Sequence, residues 1–227
     1  NVKIKNSERT VNSAITGFST AINISRSATR EPLGVEVHGY CWYNNTMYKS
    51  MIITNNTVGA WIDSDVLDPD DFPEIWAVVL RNNTYGVYCQ GDMSVLWCVM
   101  EDNDYGILGG WGTQIFGWNN VSNNHLYGVG LYLVDALMAS NHIRNNVNVG
   151  VYLEHSKVEP PWYSEWFGAI EWYNIIKGND VGVWLDGCNN IAIANWGMIE
   201  NNVGLKLQSS NNNKFYHNNF INNNNQM

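Results

Sequence analysis

Arg81-Asn82-Asn83-Thr84-Tyr85-Gly86-Val87-Tyr88-Cys89 is the stretch that decides how this chain folds. It holds an Asn pair, a glycine three residues on, and an apolar/outer/apolar triplet. Working outward, the same order returns in Thr54-Asn55-Asn56, Glu101-Asp102-Asn103, Ser122-Asn123-Asn124, Arg144-Asn145-Asn146, Lys177-Gly178-Asn179, Glu200-Asn201-Asn202 and Ile221-Asn222-Asn223. From Asn56 onward, the last residue of each group steps by 27, 20, 21, 22, 33, 23 and 21 residues. Gly59, Gly86, Gly106, Gly128, Gly150, Gly182 and Gly204 follow within two to four residues. A fixed period of about 20 to 22 residues is the mark of a solenoid.

Within each repeat, runs such as Ile191-Ala192-Ile193 alternate at period two, and no segment keeps helical spacing for three turns. The spacing predicts an all-β, single-stranded parallel β-helix with three short strands per rung, the rungs about 4.8 Å apart. In such a coil an Asn at one corner of each rung lies over the next, its amide donating one way and its carbonyl accepting from the other. Asn56, Asn83, Asn103, Asn124, Asn146, Asn179 and Asn202 are the expected ladder. Asn suits the left-handed backbone of a tight corner, as does Gly at the next bend.

One domain over 1–227 fits a fold that grows by adding rungs. Residues 1–33 read as irregular first rungs, with strand pieces at Ile15-Thr16-Gly17-Phe18 and Ala21-Ile22-Asn23-Ile24. Regular rungs run over 34–227, with loop insertions near 64–73 and 157–167. No capping helix precedes the coil and no capping segment follows Asn225. Three readings stay open: a piece of a longer protein, irregular loops as caps, or copies that cap one another.

The charge of -9, with 12 Lys plus Arg, offers no basic stripe for nucleic acid. No apolar run reaches the length of a membrane span. No signal peptide is present, as in a mature secreted chain. Sequons at Asn23, Asn44, Asn55, Asn82 and Asn120 make these glycosylation candidates, although an Asn-rich chain produces sequons by chance. Low charge and abundant Trp and Tyr, taken with the surface-type repeat resemblance described next, favour the extracellular space or the cell surface. Cys89 and Cys98 both point inward on one rung, as a possible disulfide or as buried free thiols. Cys41 and Cys188 lie roughly 30 Å apart at the strand spacing and cannot pair within one chain.

The run Gly204-Leu205-Lys206-Leu207-Gln208-Ser209-Ser210-Asn211-Asn212-Asn213-Lys214-Phe215-Tyr216-His217-Asn218-Asn219-Phe220-Ile221-Asn222-Asn223 resembles the NosD-type repeat, and Gly182 to Val203 is a second close copy. A looser resemblance covers about residues 34 to 227. It implies the right-handed parallel β-helix superfamily shared with pectin lyases, and its right hand comes from that resemblance alone. The superfamily mixes enzymes, epimerases, copper-site accessory proteins and surface proteins, so activity does not follow from it.

With the rung's glycine as zero, positions one and three point inward, and two and four outward. Position two reads Glu36, Trp61, Tyr88, Leu108, Tyr152, Trp184 and Lys206, with Tyr132 added if Gly130 opens its rung instead of Gly128. Position four reads His38, Asp63, Gln90, Gly110, Glu154, Asp186 and Gln208. Trp61, Tyr88, Tyr132, Tyr152 and Trp184 thus form an outward aromatic face. It reads as a stabilising ladder, as a contact between copies, or as a platform for glycans.

Glu154 and Asp186 fall on consecutive rungs, about 5 Å apart, a separation that suits a retaining glycosidase or, with loop oxygens, calcium. They are weak catalytic candidates, because nothing beside them supplies a proton donor of raised pKa. The lyase and polygalacturonase motifs of the superfamily are missing, and Asp68-Pro69-Asp70-Asp71 departs from the epimerase pattern by Asp70 where a His belongs. His38, His125, His142, His155 and His217 are scattered, so no metal site is expected from them. The chain reads as a non-enzymatic, extracellular structural β-solenoid without cofactor, self-assembling into a fibre, sheath or surface layer with copies of itself or other surface proteins. The alternative is a polysaccharide-binding module, or a polysaccharide lyase or glycoside hydrolase.

Overall fold

Short alternating segments cannot bury their apolar side alone, so each must lie on another of its kind. A computed structural model describes residues 3–5, 13–25, 36–43, 46–49, 51–64, 72–159 and 173–227. The chain winds into a three-faced parallel β-helix. Face one stacks Thr20–Ser25, Val58–Ser64, Tyr85–Gly91, the first half of Tyr105–Gly117, the first half of Tyr127–Ala139, Val149–Glu154, Val181–Asp186 and Val203–Gln208. Face two runs from Lys3–Lys5 through Glu36–His38, Glu74–Trp76, Met93–Leu96 and the second halves of the two long strands. It is continued by Lys157–Glu159, Ala192–Ala194 and Lys214–Tyr216. Face three is a nine-stranded sheet from Ser13–Thr16 to Asn219–Ile221. Every pairing between rungs is in parallel register, for example Val87↔Ile107 and Leu80↔Met100.

The regular stack begins earlier than the first recognisable repeat. Ser13–Thr16 pairs with Met51–Thr54, and Thr20–Ser25 with Val58–Ser64, so this early segment is already a rung. Glu36 and His38 are not on face one. They sit on face two, in register with Glu74 and Trp76, and the register partners of Trp61 and Asp63 on the preceding rung are Asn23 and Ser25. Tyr40–Tyr43 and Thr46–Lys49 form an antiparallel hairpin, a departure from the coil that the repeat did not foretell. The insertion residues 65–71 and 160–172, with Trp162, Trp166 and Phe167, lie outside the described residues, as does Asn44.

Three apolar columns meet on the axis: Ile53, Leu80, Met100, Val121, Ile143, Ile176 and Met198 from face three, Val87, Ile107, Val129, Val151 and Val183 from face one, and Ile75, Val95, Phe116 and Met138 from face two, all buried. Each such side chain removes its surface from water, worth about 1.5–3 kcal/mol apiece before chain entropy is counted. Among the described residues no helix is long and apolar enough to cross a membrane.

The corners set the sequence. The residue before each ladder Asn is left-handed, as at Asn55, Asn82, Asp102, Asn123, Asn145, Gly178, Glu200 and Asn222. The repeat's glycines answer a different need. None of Gly86, Gly106, Gly128, Gly150 or Gly182 is left-handed, but a Cβ on each would stand 2.5–2.7 Å from the carbonyl oxygen of the corresponding glycine on the next rung. Close stacking, not turning, is what requires glycine there.

Candidate functional site

At the corner between faces three and one, the Asn ladder is continuous. The Nδ2 of Asn56 donates to Oδ1 of Asn83 at 3.1 Å, and the same bond joins Asn83 to Asn103, Asn103 to Asn124, and Asn124 to Asn146. It continues through Asn179 and Asn201 to Asn223. Each Oδ1 from Asn83 onward also accepts the backbone N–H of the preceding ladder residue, and Nδ2 of each Asn from Asn56 to Asn223 donates its second proton to a main-chain carbonyl, as Asn103 does to Leu80 at 3.0 Å. All four hydrogen-bonding positions of these interior amides are thus used. Asn202 does not belong to this ladder. Ile199 pairs with Lys177, so Glu200 takes the left-handed place of Gly178, and Asn201, only 2% exposed, takes that of Asn179. Asn202 is exposed and donates to Asp180.

A second column, missed in the sequence, runs along the corner between faces two and three. Asn119 donates to Asn141 at 3.0 Å and Asn141 to Asn174 at 2.9 Å. Cys98 stands in the same column one rung earlier, its thiol accepting from Val78 N–H at 3.4 Å and lying 3.3 Å from the Leu96 carbonyl. Further on, Trp196 interrupts the column and Asn218 resumes it. The signal was present as Trp118-Asn119, Ser140-Asn141, Tyr173-Asn174 and His217-Asn218, but mixed neighbours and two non-Asn members hid the period. The third corner uses Ser156, Cys188 and Ser210, with Cys188 N–H donating to Ser210 Oγ at 3.0 Å.

The possible Cys89–Cys98 disulfide is not formed. Cys89, Cys98 and Cys188 are free and buried. Cys89 directs its thiol to the Gly91 carbonyl near the corner between faces one and two, while Cys98 is held in the Asn column at another corner. Burial, followed by the nearby Asp92 and Asp63 charges, pushes the Cys89 thiol well above its ordinary value. Burial likewise raises Cys188.

The aromatic face is a single stack of rings. Trp61 lies 4.7 Å from Tyr88, Tyr88 meets Tyr85 at 5.5 Å, and Tyr85 stacks on Tyr105 at 5.0 Å. Tyr105 meets Tyr127 at 5.7 Å, Tyr127 stacks on Tyr152 at 4.9 Å, and Tyr152 meets Trp184 edge-on at 5.3 Å. Lys206 ends the row, its Nζ 3.4 Å from the Trp184 ring centre. Where position two is Leu108 or Gly130, the Tyr just before the opening glycine supplies the ring instead. A Cβ on Gly130 would stand 2.8 Å from Cδ2 of Tyr127, so this glycine gives the Tyr127 ring its room. Tyr132 is not in the stack. Gly128 opens that rung, which places Tyr132 at position four between Gly110 and Glu154, 47% exposed and against His155.

Glu154 and Asp186 are register partners beneath these rings. The Tyr152 hydroxyl donates to Glu154 at 3.0 Å and reaches Asp186 at 3.5 Å, and Gln208 donates to Asp186 at 3.2 Å. Burial, this hydrogen bond and the two carboxylate charges hold the Tyr152 phenol far above its usual range. Burial raises Tyr105 and Tyr127 in the same direction. Among the described residues no three His, Cys, Asp or Glu side chains group as a metal site.

The sequon asparagines differ in access. Asn23, Asn55 and Asn82 are exposed, whereas Asn120 is half-buried with its Oδ1 enclosed. No curated protein and no solved structure matches the chain. The family profile described as periplasmic copper-binding protein (NosD) matches residues 11–227, almost the full length, and the chain belongs to that family.

Proposed function

We propose that the chain is a non-enzymatic structural β-helix of the cell envelope, a stiff rod whose copies assemble end to end. The observation that carries this reading is the continuity of side-chain bonding between rungs. The Asn ladder runs from Asn56 to Asn223, and the ring stack runs from Trp61 to Trp184 on the adjoining face. Glu154 and Asp186, the carboxylates a glycosidase would keep free for its substrate, are engaged by Tyr152 and Gln208. A parallel coil offers the same hydrogen-bond spacing at every rung, so a rung of one copy is a template for a rung of the next.

The ring geometry argues against a glycan platform on this face. Tyr85 and Tyr105 lie within 11° of parallel, and Tyr127 and Tyr152 within 19°, so these rings turn their faces to one another. Such pairs stabilise neighbouring strands by about 0.5–1.5 kcal/mol each.

The family description raises copper, and the histidines do not fit it. His38 is buried on face two beside Trp76, and His125 pairs with Asp104. His142 stands on face three, His155 and His217 at two different corners. The described thiols are buried and point at backbone carbonyls. Copper wants clustered imidazole or sulfur ligands, and these residues bring none together.

Electron microscopy of the purified chain at rising concentration tests the proposal. Rods that lengthen with concentration and persist in molar salt are expected. Particles of one monomeric length under all conditions would overturn it.

A further inference from the structure

Cations are scarce in this chain, 12 Lys plus Arg against 21 Asp plus Glu, yet two of them stand side by side on face three. Arg144 and Lys177 are register partners on consecutive rungs, about 4.8 Å apart. Their neighbours Ile143 and Ile176 are buried in the core, so both cations point outward, and both are exposed. Like charges directly opposed on neighbouring strands weaken a sheet, so the fold gains nothing from this pair.

Little offsets the charge locally. Lys177 Nζ lies 3.0 Å from Glu200, at the corner toward face one. Among the described residues no carboxylate pairs with Arg144. Glu101, two rungs away in the same row, lies 4.0 Å from Arg81, and the short, buried Ser122 stands between it and Arg144. His142, two residues before Arg144 and on the same outward side, is exposed as well.

The row that holds the two cations is continuous along the axis. From Ser122 it passes through Arg144 and Lys177 to Ile199 and Ile221, one residue per rung. Ile199 is half-buried and Ile221 is 44% exposed. The row thus presents two cations followed by two aliphatic surfaces, in line.

We infer that this row binds an acidic polysaccharide lying along the coil axis, with one oxyanion substituent, sulfate or carboxylate, held between Arg144 and Lys177. The guanidinium fork gives an oxyanion two parallel N–H donors, and the ammonium adds a third. The sugar rings that follow lie on Ile199 and Ile221, whose aliphatic surface suits their C–H faces. A rung is close to the length of one pyranose residue in an extended chain, so a linear polysaccharide keeps step with the row. The net charge of -9 repels polyanions from the molecule as a whole, so binding of one requires a local patch such as this. The inference goes beyond the scaffold reading and does not depend on it, since an isolated copy can bind sugar and a polymer need not.

Calorimetric titration of the full chain in about 20 mM salt tests it, with sulfated isomaltohexaose, a hyaluronan hexasaccharide and unmodified isomaltohexaose. At least one of the two anionic sugars should bind with a Kd of millimolar or tighter, and the neutral one should not. Arg144→Gln and Lys177→Gln should each weaken that binding by about tenfold, as should salt at about 500 mM. Lys214→Gln, which removes an exposed cation from face two, should leave it unchanged. Arg144→Gln relieves the like-charge contact, so its thermal midpoint should equal or exceed that of the parent. Absence of binding by both anionic sugars at about 5 mM overturns the inference. So does unchanged binding in both face-three variants, or an equal loss in Lys214→Gln, which would make the attraction diffuse. A midpoint lowered by several degrees in Arg144→Gln would show that the arginine serves the fold, and tighter binding of a short thymidine strand than of either anionic sugar would make the ligand a nucleic acid; each of these overturns it too.

Discussion

Asn201→Ala leaves two donors of Asn179, its backbone N–H and its Nδ2, without their acceptor inside the coil. Unsatisfied buried donors cost about 1–3 kcal/mol each, so a loss of about 3 kcal/mol is expected in urea unfolding. Asn202→Ala, one residue on, removes an exposed side chain and should change stability by less than about 0.5 kcal/mol. Equal effects would mean that the ladder does not pass through Asn201. Cys98 offers a test in the opposite direction. Its thiol already stands in the column that Asn119 continues, so Cys98→Asn supplies a better acceptor to Val78 N–H and a donor toward Asn119. A gain of about 1 kcal/mol is expected by the same measurement. The asparagines were legible because the coil repeats them, and the error at Asn202 has a local cause. Elsewhere the left-handed residue before the ladder is Asn, Asp or Gly, so the second member of the pair is the buried one. In Glu200-Asn201-Asn202 the Glu takes that conformation and the pair shifts by one.

At the scale of a strand and its neighbours, two quantities separate the roles of the glycines and the rings. Gly128→Ala places a methyl against the Gly150 carbonyl, a main-chain atom that cannot swing aside, and should cost about 2–3 kcal/mol. Gly110→Ala meets nothing closer than 3.9 Å and should be neutral or stabilising by about 0.5 kcal/mol. Chemical denaturation of the two variants checks both. The ring stack predicts a pH dependence. The folded state holds Tyr105, Tyr127 and Tyr152 protonated above the ordinary phenol value, with Tyr152 shifted most. Above the unfolded value of about 10, the unfolded chain sheds protons that the folded chain keeps, so stability falls as pH rises. Below that pH the contribution is fully present. The urea midpoint should therefore drop between pH 9 and pH 11, and Tyr152→Phe should flatten the drop; an unchanged slope in that variant would remove Tyr152 from the account. The stack itself was only half legible. Trp61, Tyr88, Tyr152 and Trp184 followed from position two, but Tyr85, Tyr105 and Tyr127 come from the residue before the glycine, and only packing around Leu108 and Gly130 brings them into line.

For the whole molecule, the histidines on separate rungs and faces give a direct expectation. Copper(II) or copper(I) at tens of micromolar should leave the thermal midpoint unchanged, because only a ligand that binds the folded state raises it. A rise of several degrees would reveal a site that the described residues do not assemble. Parallel coiling, the rung length and the existence of an amide ladder were determined by the sequence alone, since each is a consequence of a period and a residue type repeated along the chain. The coil's tertiary structure decided the rest. It set Asn201 over Asn223, placed Cys98 among asparagines, moved Tyr132 out of the ring stack and brought Trp118, Ser140 and Tyr173 onto one corner. Those relations depend on which residue of one rung lies over which residue of the next. Register is settled by the close approach of backbones and the filling of the core across 20 to 33 residues of chain, and no local pattern records it.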